Sequence, residues 1–320
     1  MNRPLALLAA LVLTAISVSS ACMASSGRSM GFTLQDRADR GRIQLTLIGE
    51  KSSGNMMSNS FAEDELSGLD LAAVRQPGQH PVRFAYIRDP GRIDCSGHGG
   101  NSVATGRCTF SQNQAFADFL AERRIGRPTP TQAYELTVTG ANRDLVDALA
   151  AYRYPRPSIE RLAELAAVGV TRSYIASLAA TGNAPKSLDD LTEFAALDVT
   201  PDYIAALARA GYRSQPGEEF AQLKAVGVTP ALVASLSTAG YANLTADQLE
   251  QMAALKIDPA FIGGFAQMGY AHLPVDTLVQ LKALDVTPEY VRSLEAHGLH
   301  PRSADQLVKL KAAGLGDDER

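Results

Sequence analysis

Residues 226–241 read VGVTPALVASLSTAGY, and residues 284–299 read LDVTPEYVRSLEAHGL, the same pattern two periods of 29 residues further on. The turn at its head recurs as Val168-Gly169-Val170-Thr171, Leu197-Asp198-Val199-Thr200, Leu255-Lys256-Ile257-Asp258 and at the two quoted sites. Its closing glycine recurs as Gly182, Gly211, Gly240, Gly269 and Gly298. A fixed period of this length marks stacked supersecondary units. Thr200-Pro201, Thr229-Pro230, Asp258-Pro259 and Thr287-Pro288 each place a capping oxygen before a proline at the first helical position, where a missing N–H costs nothing. The helix so begun ends at the periodic glycine, which suits the left-handed position after a helix.

Before each turn runs another helix, with apolar residues three apart on one face: Leu162/Leu165, Leu191/Phe194, Phe220/Leu223, Leu249/Met252 and Leu278/Leu281. A weaker unit with Thr129, Leu136, Asn142, Leu145, Leu149 and Tyr154 precedes these, and a half-unit with Ser303, Leu307, Leu310 and Leu315 follows. The pattern predicts six helix pairs and one terminal helix over 127–315, with a polar tail at 316–320. Helices this short are marginal alone, so each unit must bury its apolar face on its neighbours as a solenoid.

Towards the N-terminus the period changes. Ile43, Leu45 and Leu47 alternate with polar residues, as do Val82, Phe84 and Tyr86 with Arg83 and Ala85, which predicts half-buried strands in a small β domain over 42–126. Residues 92–95 and 106–110 flank a Gly/Ser/Asn-rich loop as a hairpin requires. Pairing Gly97 with Gly106 sets Cys95 opposite Cys108 and Ile93 opposite Phe110, all on one face, and predicts a Cys95–Cys108 disulfide.

Residues 1–24 have the order of a secretory signal: Arg3, an apolar run from Pro4 to Val18, then small residues to Ala24. A polar Ser/Gly/Arg stretch over 25–41 reads as a linker. Ser19-Ser20-Ala21-Cys22 is similar to a bacterial lipobox, with Ser19 where an aliphatic usually stands, so both acylation of Cys22 and plain cleavage after Ala21 or Ala24 stay open. Export, periplasmic or attached to the envelope through a lipid, is the expectation. It agrees with a disulfide between the other two of the three cysteines.

The strings quoted above resemble the helical repeats of exported bacterial proteins and of the extracytoplasmic extensions of some membrane metallopeptidases of the BlaR antirepressor type. The segment VRFAYIRDPGRIDCSG followed by GRCTF resembles the β module ahead of such repeats. The resemblance covers most of the chain beyond the leader and implies its architecture. Peptidase activity is not carried over, because this sequence has no His-Glu-x-x-His and no transmembrane bundle.

Residues suited to catalysis or metal binding do not cluster in the sequence. The five histidines are scattered at 80, 98, 272, 297 and 300. Asp94, Cys95, His98 and Cys108 could surround zinc, but a plain disulfide is the expectation in an oxidising compartment. No Gly-x-Ser-x-Gly is present, and Asp189, Asp190, Glu218 and Glu219 open helices, where acids complement the dipole. Val168-Gly169-Val170 and Val226-Gly227-Val228 imitate the hairpin of helix-hairpin-helix DNA-binding motifs. Against that stand a net charge of −4, a sequence pI near 5.8 and an excess of acidic residues across the repeats. Tyr212, Tyr241 and Tyr270 follow helix-ending glycines and are expected to pack back on their helices rather than line a surface. The expected fold is α+β multidomain, a small antiparallel β domain followed by an α-solenoid. The expected function is a non-enzymatic exported scaffold, without cofactor, metal or nucleic acid, that binds a protein or peptide. An accessory or sensory domain of an envelope signalling or peptidase system is the alternative.

Overall fold

A computed structural model describes residues 28–37, 41–49, 56–213 and 219–316. The expected leader, the lipidation candidate Cys22 and the tail beyond Gly316 lie outside the described residues.

Among the described residues seven antiparallel strands come first: β1 (Arg28–Arg37), β2 (Arg42–Gly49), β3 (Met56–Phe61), β4 (Leu66–Ser67), β5 (His80–Arg88), β6 (Gly91–Gly100) and β7 (Val103–Gln112). They lie in the order β3-β2-β1-β7-β6-β5-β4. The two edge strands, β3 and β4, are consecutive in sequence and joined by one 3-10 turn at Glu63–Glu65, so the sheet rolls into a half-barrel. Phe61 of β3 then meets Tyr86 of β5 edge to face, ring centroids 5.1 Å apart.

The stretch 25–41 is not a linker, since most of it is β1, paired with β2 on one side and β7 on the other. Met30, Phe32 and Leu34 are buried and alternate with Gly31, Thr33 and Gln35. Three apolar positions set among Ser, Gly and Arg are too weak a period-two signal to stand out. The β6–β7 register has Cys95 opposite Cys108, Gly97 opposite Gly106 and Ile93 opposite Phe110. The cysteine sulfurs are 1.97 Å apart, a disulfide, and both cysteines are buried. Their Cα atoms are 4.1 Å apart, as in the narrow pairs of an antiparallel ladder. Gly97 and Gly106 are required here: a Cβ on Gly106 would come within 2.7 Å of the Phe32 ring and 2.2 Å of the Ser96 carbonyl. A short helix, α1 (Leu71–Arg75), adds Leu71 and Val74 to the core of the sheet.

The helical array follows as pairs α3/α4 (Pro130–Thr139, Arg143–Ala151), α5/α6 (Ile159–Ala167, Arg172–Ala180), α7/α8 (Leu188–Ala196, Pro201–Arg209), α9/α10 (Glu219–Ala225, Pro230–Thr238), α11/α12 (Ala246–Ala254, Pro259–Gln267) and α13/α14 (Val275–Ala283, Pro288–Ala296), with a terminal α15 (Ala304–Ala312). Each first helix contacts the next first helix along, from α3 through to α15, and second helices contact as α4–α6, α8–α10 and α12–α14. The apolar pairs read from the sequence, from Leu162/Leu165 to Leu278/Leu281, are buried in one continuous core. The capping oxygens act as expected: Thr200, Thr229 and Thr287 accept from the amides of Tyr203, Leu232 and Tyr290 at 3.1–3.2 Å, and Asp258 from Phe261 at 2.8 Å.

First helices end in Schellman motifs. In α5 the Val170 amide donates to the Leu165 carbonyl and the Gly169 amide to Ala166, with Gly169 left-handed at φ +87°. Asp198, Lys256 and Asp285 hold the same left-handed position at φ +52° to +54° without being glycine.

Sheet and array interlock. A further helix, α2 (Gln114–Glu122), sends Phe116 and Leu120 into the core of the array, while Ala133 and Tyr134 of α3 belong to the core of the sheet. The boundary expected at 126/127 is thus crossed in both directions. Asp89, in the β5–β6 turn, accepts from the Arg143 amide at 2.8 Å and so caps α4.

Candidate functional site

The residues singled out for chemistry are dispersed by the fold. Cys95 and Cys108 face the core, and strand alternation puts Asp94 and His98 on the opposite, exposed face, so the four do not converge. Asp94 pairs instead with Arg92 at 2.7 Å. Among the described residues no three His, Cys, Asp or Glu side chains gather as a metal site would require. Asp189 pairs with Arg161 at 2.5 Å, Glu219 accepts from Tyr212 at 2.8 Å, and Glu218 lies outside the described residues. His297 bonds the Ser293 carbonyl of its own helix at 2.7 Å, while His300 is exposed.

The hairpin amides that a helix-hairpin-helix motif would offer to phosphate are already spent. Gly169 and Val170, and likewise Gly227 and Val228, donate to the carbonyls that end the preceding helix.

The tyrosines have a joining role. Tyr154, Tyr241 and Tyr270 donate their hydroxyls to the carbonyls of Pro185, Leu273 and Pro301 at 2.5–2.7 Å, thirty-odd residues further on. A second series, Tyr174, Tyr203 and Tyr290, donates to Val199, Val228 and Leu315 at 2.6–2.9 Å. Both series tie one unit to the next. Burial pushes the Tyr154 and Tyr203 phenols up to about 12, and it raises Tyr174 and Tyr212 as well, the latter helped by its bond to Glu219. Lys224, Lys282 and Lys311 lie 4.5–4.8 Å from the rings of Tyr203, Phe261 and Tyr290 in the preceding unit. On α11, Glu250 has a buried Oε1 without a partner among the described residues, and burial, then Asp247 and Glu219, raise its carboxyl above the ordinary range.

What the array leaves open is regular. The first helices of five pairs, α5, α7, α9, α11 and α13, end in an exposed alanine, Ala167, Ala196, Ala225, Ala254 and Ala283. The next residue is aliphatic, Val168, Leu197, Val226, Leu255 and Leu284, half-buried in three units and 38% and 39% exposed at Val226 and Leu284. An apolar ladder therefore runs along one edge of the array.

Concave notches open at the ends of second helices. One, of about 140 Å³, is lined by Ala210 to Tyr212, Val233, Ser237 and Tyr241 to Leu244, with Leu249. Another, of about 380 Å³, is lined by Tyr152 to Tyr154, Ile175, Ala179, Gly182 and Ala184 to Lys186. Most of these linings match position for position 58 residues apart, two repeats. A shallower groove of about 440 Å³ lies on the sheet beside Arg83, Arg92 and Asp94.

Compared with known proteins, the chain matches no family description and no curated sequence.

Proposed function

We propose that the chain is a non-enzymatic exported scaffold whose helical array presents a repeating surface to a protein or peptide partner. The apolar ladder carries this reading. An alanine followed by an aliphatic residue recurs at one position in five stacked units, outside the buried pairs that hold the core. Apolar side chains repeated along one edge of a solenoid suit an extended partner. The signal-like residues 1–24 and the buried Cys95–Cys108 disulfide support export to an oxidising compartment.

A chain carrying Val226→Lys and Leu284→Lys is expected to keep its melting temperature and to lose partners that the wild type captures from cell-envelope extracts. Equal capture by both chains, or none by either, overturns the proposal. Mass spectrometry of the mature N-terminus tests export: a start at Cys22, acylated or free, or at Ser25 supports it, and an intact Met1 contradicts it.

A further inference from the structure

We infer that the notch between the end of α4 and α6 is a pocket for a peptide's C-terminal carboxylate and the apolar side chain beside it. This rests on the scaffold reading for the kind of ligand and on the notch itself for its place and chemistry.

The two notches are copies of one feature with different linings. In the notch at 210–249 the end of the second helix reads Ala210, Gly211, Tyr212, and no charged residue lines it. In the notch at 152–186 the same positions read Tyr152, Arg153, Tyr154, and Lys186 stands where the other has Leu244. Tyr152, Arg153 and Lys186 thus set this opening, the larger of the two, apart from its copy, although only position 153 is constant in the other units: position 186 recurs as Leu244, Leu273 and Arg302, and position 152 as Thr181, Met268 and His297.

Arg153 is the most informative of them. It occupies the left-handed position at φ +62°, where α6, α8, α10, α12 and α14 are all followed by glycine. A Cβ makes that conformation unfavourable, so glycine is the residue stability alone would select. Asp198, Lys256 and Asp285 make the same departure after first helices, so the backbone alone does not mark a site; at Arg153 the departure coincides with an opening. The side chains of Arg153 and Lys186 make no hydrogen bond or ion pair among the described residues. Tyr152 is 42% exposed, against the preference of large aromatics for burial.

The lining is divided in chemistry. Arg153 and Lys186 offer donors for an anion. Asp190 lies near enough to oppose ionisation of Tyr154, while the charged residues that line the notch itself are the cations Arg153 and Lys186. Ile175, Ala179 and Tyr152 supply an apolar floor. The last residue of a peptide carries a carboxylate and a side chain on one Cα, which matches this division, whereas a free inorganic anion would leave the floor unused.

The test uses the full chain, calorimetry and three probes: acetyl-Gly-Ser-Leu with a free carboxylate, its C-terminal amide, and inorganic phosphate. The free acid is expected to bind, and the amide at least about tenfold more weakly, the size expected for losing charge-assisted hydrogen bonds. Arg153→Gly restores the residue used by the other units, so it is expected to weaken the free acid by about tenfold or more while the melting temperature holds or rises. No binding of the free acid, equal binding of acid and amide, an unaffected Arg153→Gly chain, or phosphate binding as tightly as the peptide would each overturn the assignment. Failures separate cleanly. Capture of a partner through the ladder without peptide binding overturns the notch alone. Peptide binding without capture through the ladder supports the notch and overturns only the role of the ladder.

Discussion

The half-barrel and the helical array are held by opposite kinds of contact. In the sheet, β1 reaches across sequence to β7, a disulfide joins β6 to β7, and one residue's slip in register would turn Met30, Phe32 and Leu34 out of the core. In the array the helix caps are local, Asp89 on α4 excepted, and the tyrosine bonds run to the adjoining unit. Damage to the sheet should therefore spread through the whole sheet, whereas damage to the array should stay near its origin.

Leu223→Ala tests this most severely. Leu223 is fully buried on α9, and its truncation is expected to cost about 2–5 kcal/mol. Hydrogen exchange should rise in α7 to α12 and stay unchanged in β1–β7; a uniform rise would break the comparison. Reduction of Cys95–Cys108 is the converse experiment. It closes a sequence separation of 13 and is expected to cost the sheet roughly 3 kcal/mol. Exchange should quicken across β1–β7 with α9–α15 unaffected, and equal effects on both regions would contradict the division.

Tyr203→Phe is milder. It leaves the buried Val228 carbonyl without its donor, at about 1 kcal/mol. It also carries a pH signature. A phenol raised from its ordinary 10.0 to about 12 in the fold contributes stability that is complete below pH 10.0 and lost as pH climbs through about 12. Thermal melts between pH 9 and 12 should show a smaller alkaline loss in Tyr203→Phe than in the wild type; identical curves would mean the hydroxyl is not held. The smallest effect sharpens the picture of the turns. Lys256 sits left-handed at φ +54° where other units have Gly169 and Gly227, so Lys256→Gly is expected to stabilise by about 0.5–1 kcal/mol, read as a higher melting temperature.

The array was legible in the sequence because each signal recurs five times, so chance similarity at one unit is outvoted by the others. The β6–β7 hairpin was legible because a cysteine pair and a glycine pair demand the same register. β1 was hidden by its composition. β3, reading MMSNSF, is an edge strand with little apolar pattern to declare it. The two-residue β4 is too short to carry any period. The candidate notch was hidden for another reason. Tyr152, Arg153 and Lys186 are ordinary surface residues taken singly, and only the fold brings residues more than thirty apart to one opening. Arg153 could have been noticed by aligning the units, since it alone replaces the glycine after a second helix between residues 143 and 298.

Six of the tyrosine bonds between units end on main-chain oxygens, which every residue type possesses, whereas Tyr212 reaches the Glu219 carboxylate. At those six joints the hydroxyl makes no demand on the side chain it meets, unlike the lysine–ring contacts and the Arg161–Asp189 pair that also join units. Removing or duplicating a block of 29 codons would leave the main-chain joints of this kind intact on both sides.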